Sequence, residues 1–281
     1  MTKHLIINAD DYGLTSQVSL GIREAHLNGV VTSASCMMNF PATHEDIILA
    51  ETLTPGLGLG VHLNLTSGVP ILPPHRIPTL CNNVGNFKDR ETFIQQIKQI
   101  SVDEVITEWK AQIEVFISIT RGRPTHLDSH HHSSYYTPDL FRGMVEVAAK
   151  YDCAIRLPIS NPGKPIVVIP EELLIPSTHQ QIAAILSLYQ PVSPTRFIDQ
   201  FYDNNATENN IIGYINLLQD GTTEIMCHPG YNDDSLQMVS SYTAFREKEL
   251  HVLKMDSIRD NIIYEHIHLI SYREILHESD G

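Results

Sequence analysis

Two adjacent carboxylates, Asp10 and Asp11, close the apolar run that begins the chain, in the stretch HLIINADDYG (4–13). Like charges held side by side raise each other's pKa, so this pair is unfavourable at the end of a buried strand unless a positive group lies opposite. Adjacent strand residues point in opposite directions, and both carboxylates reach one pocket only if the strand ends there, which Gly13 permits. A divalent cation would compensate the charge, with one carboxylate as ligand and the other as a base acting on a water that the ion activates.

Histidine is the second residue type that suggests metal chemistry, with 15 in the chain. His62 lies in the strand-like run GVHLNLT, which also carries Asn64, and His228 in EIMCHPG lies where a strand gives way to a loop. Arg156 has a similar place in AIRLP. Each of these residues also has an ordinary structural explanation, since a single buried histidine is usually a hydrogen-bonded core residue and an arginine can form a structural ion pair.

The run HLDSHHH is the most specific of these signals. On an extended strand His126, Asp128 and His130 share one face, but at about 3.3 Å per residue His126 and His130 lie roughly 13 Å apart. They cannot both bind one ion unless the chain turns between them. We therefore expect His126 to be a metal ligand, and we expect Asp128 and His130 to support the ligands or to contact substrate.

One aspartate and two histidines with open coordination positions suit a divalent metal such as Mg, Mn, Fe, Co or Zn. The spacing of these residues does not distinguish among the five metals.

Short β-rich runs alternate with helical patterns, which favours an α/β fold with a parallel sheet or barrel. The predicted strands are 5–9, 30–39, 59–65, 124–130, 153–159, 223–229 and 267–272. Apolar spacing near 3.6 residues predicts helices at 16–29, 101–120 and 137–151, the last with Thr137 as its N-cap and Pro138 in its first turn. The candidate site residues all fall near the carboxyl ends of predicted strands, where such folds build active sites.

Two segments interrupt the alternation of strands and helices. Residues 66–92 are rich in Pro, Gly and Asn, and residues 160–210 contain NPGKP and DNNATENN. Long loops in a compact α/β domain are often functional, so both are candidates for lids or substrate walls, with surface decoration as the alternative. No boundary between independent domains is evident, and we predict a single domain over 1–281.

Composition excludes several classes of protein. A net charge of −14 disfavours nucleic acid and anionic membranes as partners. No apolar run approaches the roughly 18 residues that span a bilayer, and the first residues already resemble a strand rather than an export signal. Four cysteines without C-x-x-C spacing suggest neither a zinc knuckle nor a disulfide framework. We expect a cytoplasmic protein.

These motifs resemble the YdjC family of carbohydrate deacetylases, whose best-known members are chitooligosaccharide deacetylases. The resemblance is carried, in order, by INADDYG, GIREAHLNGVVTSAS, GVHLNLTSGVPI, GRPTHLDSHHH, IRLP and EIMCHPG. It implies a distorted (β/α) barrel related to the polysaccharide deacetylase superfamily. It also implies a metal-dependent hydrolase that removes N-acetyl groups from amino sugars or small oligosaccharides.

The resemblance implies roles for six residues. They are Asp10 as general base, Asp11, His62 and His126 as metal ligands, His228 as the general acid that protonates the leaving amine, and Arg156 as the residue that orients Asp10 or lines the pocket. Asp128, His130 and Asn64 remain candidates for supporting the ligands or contacting substrate. The metal usual in the family is magnesium, but a site with two imidazoles is unusual for Mg²⁺, so Zn²⁺ is an alternative.

Other interpretations of the same residues remain open. A phosphoesterase or a sugar isomerase could use a similar barrel mouth, although a phosphate enzyme usually shows a Gly-rich anion loop or a cluster of basic residues. An inactive sugar-binding homologue would usually have lost the base or a ligand. We expect small imported acetylated sugars as substrates rather than polymeric chitin, and relatives that assemble suggest a homo-oligomer.

Overall fold

Eight parallel strands form one curled sheet in the computed structural model, which describes residues 2–157, 169–174 and 177–278. The strands are β1 Lys3–Tyr12, β2 Ser33–Cys36, β3 Gly58–Leu63, β4 His126–Ser129, β5 Ala154–Ile155, β6 Arg196–Ile198, β7 Gly221–Cys227 and β8 His268–Leu269. Their order is β5-β4-β3-β2-β1-β7-β6, with β8 also pairing with β1. Within the described ranges β5 and β6 share no ladder, so the sheet is an incomplete barrel, and the prediction of a distorted (β/α) barrel is confirmed.

Eleven helices connect and cover the strands in the described part of the chain. They are α1 Ser16–Leu27, α2 Thr43–Leu53, α3 Arg90–Gln95, α4 Val102–Thr120, α5 Pro138–Tyr151, α6 Thr178–Tyr189, α7 Glu208–Asn216, α8 Asp234–Val239, α9 Ala244–Leu253, α10 Asp256–Tyr264 and α11 Tyr272–Glu278. Short 3-10 turns lie at 74–76, 97–99, 130–135, 171–173 and 203–205. None of the helices described here combines the length and apolar character needed to cross a bilayer.

Capping side chains fix where the long helices begin. Thr15 starts α1 by accepting the backbone N–H of Val18, and Ser101 starts α4 in the same way. The prediction for α5 is confirmed, because Thr137 is its N-cap and Pro138 its first residue. A cap satisfies one of the N–H groups that a helix start leaves without a partner.

All seven predicted strands are present: β1 is longer than predicted, β7 has the predicted length, and the other five are shorter. Strand β6 was not predicted, since its three residues lie inside the segment 160–210, which also contains α6. The predicted strand 267–272 overshoots, because α11 already begins at Tyr272. Of the predicted strand 153–159, residues 158 and 159 lie outside the described residues, as do residues 160–168 and 175–176 of the long segment.

A β-bulge at the end of β1 explains how two adjacent carboxylates can face the same pocket. Ala9 pairs with Ala34 and Tyr12 pairs with Cys36, so β1 advances by three residues where β2 advances by two. Asp11 adopts a φ of 71°, in the left-handed region that non-glycine residues rarely enter. The extra residue breaks the alternation of side-chain directions, which allows Asp10 and Asp11 to face the same end of the sheet.

Candidate active site

The carboxyl ends of the strands surround a cleft of about 740 Å³. Of the predicted site residues, the cleft exposes Asp10, Asp11, His62, His130 and His228 along its wall. The two long loop segments supply further wall residues, namely Thr66, Ser67, Asp89, Arg90 and Glu91 from the first segment and Asp199 and Tyr202 from the second. Described residues of both segments therefore line the cleft, as expected of substrate walls.

Three side chains form a cluster suited to a metal ion. The ligand atoms of Asp11, His62 and His130 lie within 4.8 Å of one another. Oδ1 of Asp11 is 3.5 Å from Nε2 of His62 and 3.1 Å from Nδ1 of His130. This carboxylate oxygen is buried and has no hydrogen-bond partner among the described residues. A buried, unpartnered carboxylate oxygen facing two imidazole nitrogens fits a divalent cation, and we call Asp11, His62 and His130 the metal cluster.

His62 is held in position by the neighbouring strand. It is in register with Asp128 across β3 and β4, and its Nδ1 lies 2.7 Å from the Asp128 carboxylate. A carboxylate that binds one ring nitrogen of a histidine orients the other nitrogen toward a metal. Asp128 also accepts a hydrogen bond from Ser35 at 2.9 Å and lies 3.0 Å from Arg156. Its position fits the supporting role predicted for it.

The structure does not bring His126 to the metal cluster, which corrects the expectation for this residue. Its ring is fully buried and stacks on Tyr272 with centroids 3.8 Å apart. Its Nδ1 is 2.9 Å from the hydroxyl of Thr125, and burial lowers its pKa to about 3. Strand β4 ends at Ser129 and the chain then turns, so His130 rather than His126 faces Asp11.

Asn64 is likewise not a wall residue of the cleft. It is fully buried, and its amide donates to the side chain of Asn39 at 2.9 Å and to the backbone of Ser67 at 2.7 Å. Its side-chain oxygen accepts the backbone N–H of Thr66. Asn64 therefore shapes the turn that brings Thr66 and Ser67 to the cleft, and the expectation of a direct substrate contact is not supported.

Asp10 is paired with Arg156 in a buried, two-point ion pair. The guanidinium donates to both carboxylate oxygens, at 2.7 and 2.6 Å, and Asn8 donates a further bond at 2.9 Å. Burial by itself would raise the pKa of Asp10, but Arg156 outweighs it and lowers this pKa below its usual value. Asp10 is therefore ionised at neutral pH, as a proton acceptor must be. The geometry fits the orienting role, one of the two predicted for Arg156.

A second group of possible ligands consists of Asp10, His62 and Asp128, which are all buried. Both of its carboxylates already face Arg156, which lies within 3.0 Å of each. Their negative charge is thus compensated without an ion. We assign this group to the support of the site rather than to metal binding.

Arg156 is itself held from below by Glu224 and Tyr272. Glu224 on β7 accepts from Nε of Arg156 at 3.0 Å, and the hydroxyl of Tyr272 on α11 donates to Glu224 at 2.7 Å. Burial raises the pKa of Glu224 to about 7, although Arg156 and Tyr272 oppose this rise. The chain of contacts runs from α11 through the core of the sheet to Asp10.

Tyr272→Phe tests this support. The change removes one hydrogen bond to a buried carboxylate and should lower the free energy of unfolding by about 1–3 kcal/mol. Urea denaturation measures the loss, and Tyr264→Phe is the matched control because Tyr264 is 78% exposed. Equal stability of the two variants would contradict a supporting role for the Tyr272 hydroxyl.

His228 lies beside Asp10 at the end of β7. Its Nε2 is 3.9 Å from the Asp10 carboxylate, and its backbone N–H donates to Glu249. The rings of Tyr202 and Tyr242 meet the imidazole edge-on, at 5.5 and 5.7 Å. Burial lowers the pKa of His228 to about 4, while Asp10 and Asp11 act in the opposite direction. The imidazole is therefore neutral at neutral pH.

Two site residues on α9 were not predicted from the sequence. Arg246 donates to the second carboxylate oxygen of Asp11 at 2.6 Å, and Glu249 holds the backbone of His228. Burial raises the pKa of Glu249 to about 7. Both residues are buried although their side chains are ionisable. They share the apolar face of α9 with Leu250 and Leu253, and charges on such a face are the signal that could have identified them.

Comparison with known proteins identifies similar sequences and folds. A family model described as YdjC-like protein matches residues 4–262. A carbohydrate deacetylase from Thermoanaerobacter pseudethanolicus is 35% identical over 265 residues, which cover 93% of this chain and 96% of that protein.

Two solved structures extend the comparison. The crystal structure of a candidate cellobiose-phosphate cleavage protein from Enterococcus faecalis is 32% identical, with a TM-score of 0.85 over 98% of this chain and 99% of that one. The Xyl-CE4 domain of a multidomain xylanase, from the hindgut metagenome of Trinervitermes trinervoides, shares 6% identity at a TM-score of 0.52, covering 100% of this chain and 92% of that one. This second likeness concerns the fold alone.

Proposed function

The chain belongs to the YdjC-like family, and from that premise we propose that it is a metal-dependent carbohydrate deacetylase. Its reaction would be the hydrolysis of N-acetyl groups on amino sugars or small oligosaccharides. The similarity to a carbohydrate deacetylase over nearly the whole chain supports this proposal. The observation that carries it is the ionised Asp10 placed beside the metal cluster at the floor of the cleft.

Asp11, His62 and His130 would hold the divalent ion. An ion bound there would polarise the acetamide carbonyl and make water a better nucleophile by lowering its pKa. A donor set of two imidazoles and one carboxylate suits Zn²⁺ or another transition metal better than Mg²⁺, which prefers oxygen ligands. We propose that Zn²⁺ binds more tightly than the Mg²⁺ implied by the family resemblance.

The other site residues would move one proton through the reaction. Asp10 takes the proton from the attacking water, and Arg156 keeps its carboxylate oriented toward that water. His228 is neutral before the reaction, so the proton that it gives to the leaving amine must be gained on the way. Asp10 is the nearest source, 3.9 Å from Nε2 of His228. Transfer of this proton to the nitrogen completes the cleavage of the C–N bond and leaves acetic acid.

Metal binding should depend on pH through His62. Burial would lower the pKa of this imidazole, but Asp128, Asp10 and Asp11 outweigh it and raise the pKa to about 9. An ion must therefore displace the proton on Nε2. Between about pH 6 and about pH 8 we expect the affinity for Zn²⁺ to rise about tenfold per pH unit, because the ion displaces one proton from His62.

Isothermal titration calorimetry in buffers of different ionisation enthalpy measures the protons released by Zn²⁺ binding. We expect about one proton per ion. No release of protons, with Zn²⁺ bound at full stoichiometry, would contradict the assignment of His62 as a ligand.

Acetate release tests the proposed function. The purified protein is incubated with a panel of N-acetylated mono- and disaccharides, then treated with EDTA, and finally supplied with Zn²⁺ or Mg²⁺. We expect acetate from at least one sugar, its loss after EDTA and its return with metal. A protein that carries metal and releases no acetate from any of these sugars would contradict the proposal.

A further inference from the structure

Three aromatic rings form a column, and two of them, Tyr202 and Tyr242, line the cleft. Tyr202 stacks on Tyr242 with centroids 4.3 Å apart and an angle of 11° between the planes. Tyr242 stacks in turn on Phe245, at 5.8 Å and 15°. The hydroxyl of Tyr242 donates to Glu249 and accepts the backbone N–H of Asp203, so two hydrogen bonds fix the position of the middle ring. The column is therefore a rigid part of the wall.

Tyr202 is the end of this column that faces open space. One face of its ring is covered by Tyr242, yet the residue is 40% exposed and lines the cleft. Large aromatic side chains normally bury their rings, and an exposed ring on a fixed support, inside a cleft, is typical of a contact surface for a ligand. Among the described residues, no other aromatic ring stacks on the outer face of Tyr202.

The position of the Tyr202 ring relative to His228 indicates which part of a ligand would contact Tyr202. The centroids of Tyr202 and His228 are 5.5 Å apart. A leaving nitrogen within about 3 Å of the imidazole is required for proton transfer. A carbon skeleton bonded directly to that nitrogen would then be within reach of the Tyr202 ring.

We propose that Tyr202 is the binding platform for the pyranose ring that carries the acetamido group. This inference rests on the proposed function and adds the substrate feature that the cleft would recognise. A pyranose presents an apolar face of ring C–H groups, which packs well on the face of an aromatic ring. The platform would favour N-acetylated amino sugars over acyclic amides with the same acetyl group, because an acyclic amine lacks such a face.

Sugar binding without turnover tests the platform separately from the deacetylase activity. The ligand is the β-1,4-linked disaccharide of N-acetylglucosamine, titrated by calorimetry into Zn²⁺-loaded protein carrying Asp10→Asn, which is expected to block hydrolysis. Adding Tyr202→Ala should raise Kd about tenfold. Tyr202→Phe keeps the ring, so its Kd should stay close to that of the parent Asp10→Asn protein. Tyr264→Ala removes an exposed ring on α10 and should leave Kd unchanged.

The results separate the two proposals. Unchanged Kd with Tyr202→Ala, or no binding of the disaccharide to the Asp10→Asn protein, would overturn the platform. Failure of Tyr202→Phe to recover binding would also overturn it, since the ring face would then not be the contact. Melting temperatures near that of the parent variant show that the column has not collapsed. Acetate release by the wild-type protein tests the deacetylase activity, and its absence would leave the binding result unchanged.

Discussion

Replacing Asp10 by asparagine is expected to lower kcat for acetate release by about three orders of magnitude while the protein keeps its bound metal. Asparagine has nearly the same shape as aspartate but cannot take a proton from water. Metal should be retained because both Asp10 oxygens face Arg156 rather than the metal cluster. Metal content by elemental analysis and kcat on the same preparation measure the two effects together.

Arg246→Lys is a useful comparison for this variant. Arg246 contacts Asp11, so its replacement should affect the metal cluster before it affects the base. A reduced metal content with Arg246→Lys, beside a full metal content with Asp10→Asn, would separate the two aspartates by role. If the Asp10→Asn protein kept more than about a tenth of wild-type kcat, Asp10 would not be the general base.

The second large effect concerns the two histidines that flank Asp128, one at the start of β4 and one just after its end. His130→Ala should lower the affinity for Zn²⁺ by at least about 100-fold, because it removes one of three protein ligands. His126→Ala should leave that affinity within a few-fold of wild type. The same change should lower the free energy of unfolding by about 2–4 kcal/mol, because it opens a cavity beside Tyr272.

Competition with a chelating dye measures the Zn²⁺ affinity of both variants, and urea denaturation measures their stability. Each variant is the control for the other, since both replace a histidine of the same segment by alanine. Loss of metal with His126→Ala and its retention with His130→Ala would contradict this assignment. His126 would then be the ligand, as the family resemblance implies.

The parallel sheet and the general place of the site could be predicted from the sequence. Alternating strands and helices indicate parallel strands, and parallel strands place their carboxyl ends at one edge. The direction of each strand is enough to group Asp10, Asp11, His62 and His228, and the exact residue at which each strand ends is not needed.

The choice between His126 and His130 required information that the sequence pattern did not contain. Period-two alternation puts both histidines on one face of β4, and only the residue at which the strand ends decides which one reaches Asp11. The turn after Ser129 includes His131 and His132 with φ of 54° and 58°. Such left-handed conformations are uncommon for residues other than glycine, so local propensity did not indicate this turn.

Arg246 and Glu249 were missed for a different reason. They reach the site from a helix that follows the last site strand, through contacts with residues more than twenty positions away in the chain. A charged residue on a helix is usually solvated, and its burial becomes visible only once the packing of α9 is known. Both are partners of predicted residues, so the core of the site was found without them.

A titration of the metal-free protein with Zn²⁺, in which bound metal and acetate release are followed together, tests the proposed metal-dependent hydrolysis. We predict that the rate of acetate release rises in proportion to bound metal and reaches its plateau at one ion per chain. Acetate release by protein without metal, or full occupancy of the metal cluster with no acetate from N-acetylated mono- or disaccharides, would contradict the proposed chemistry.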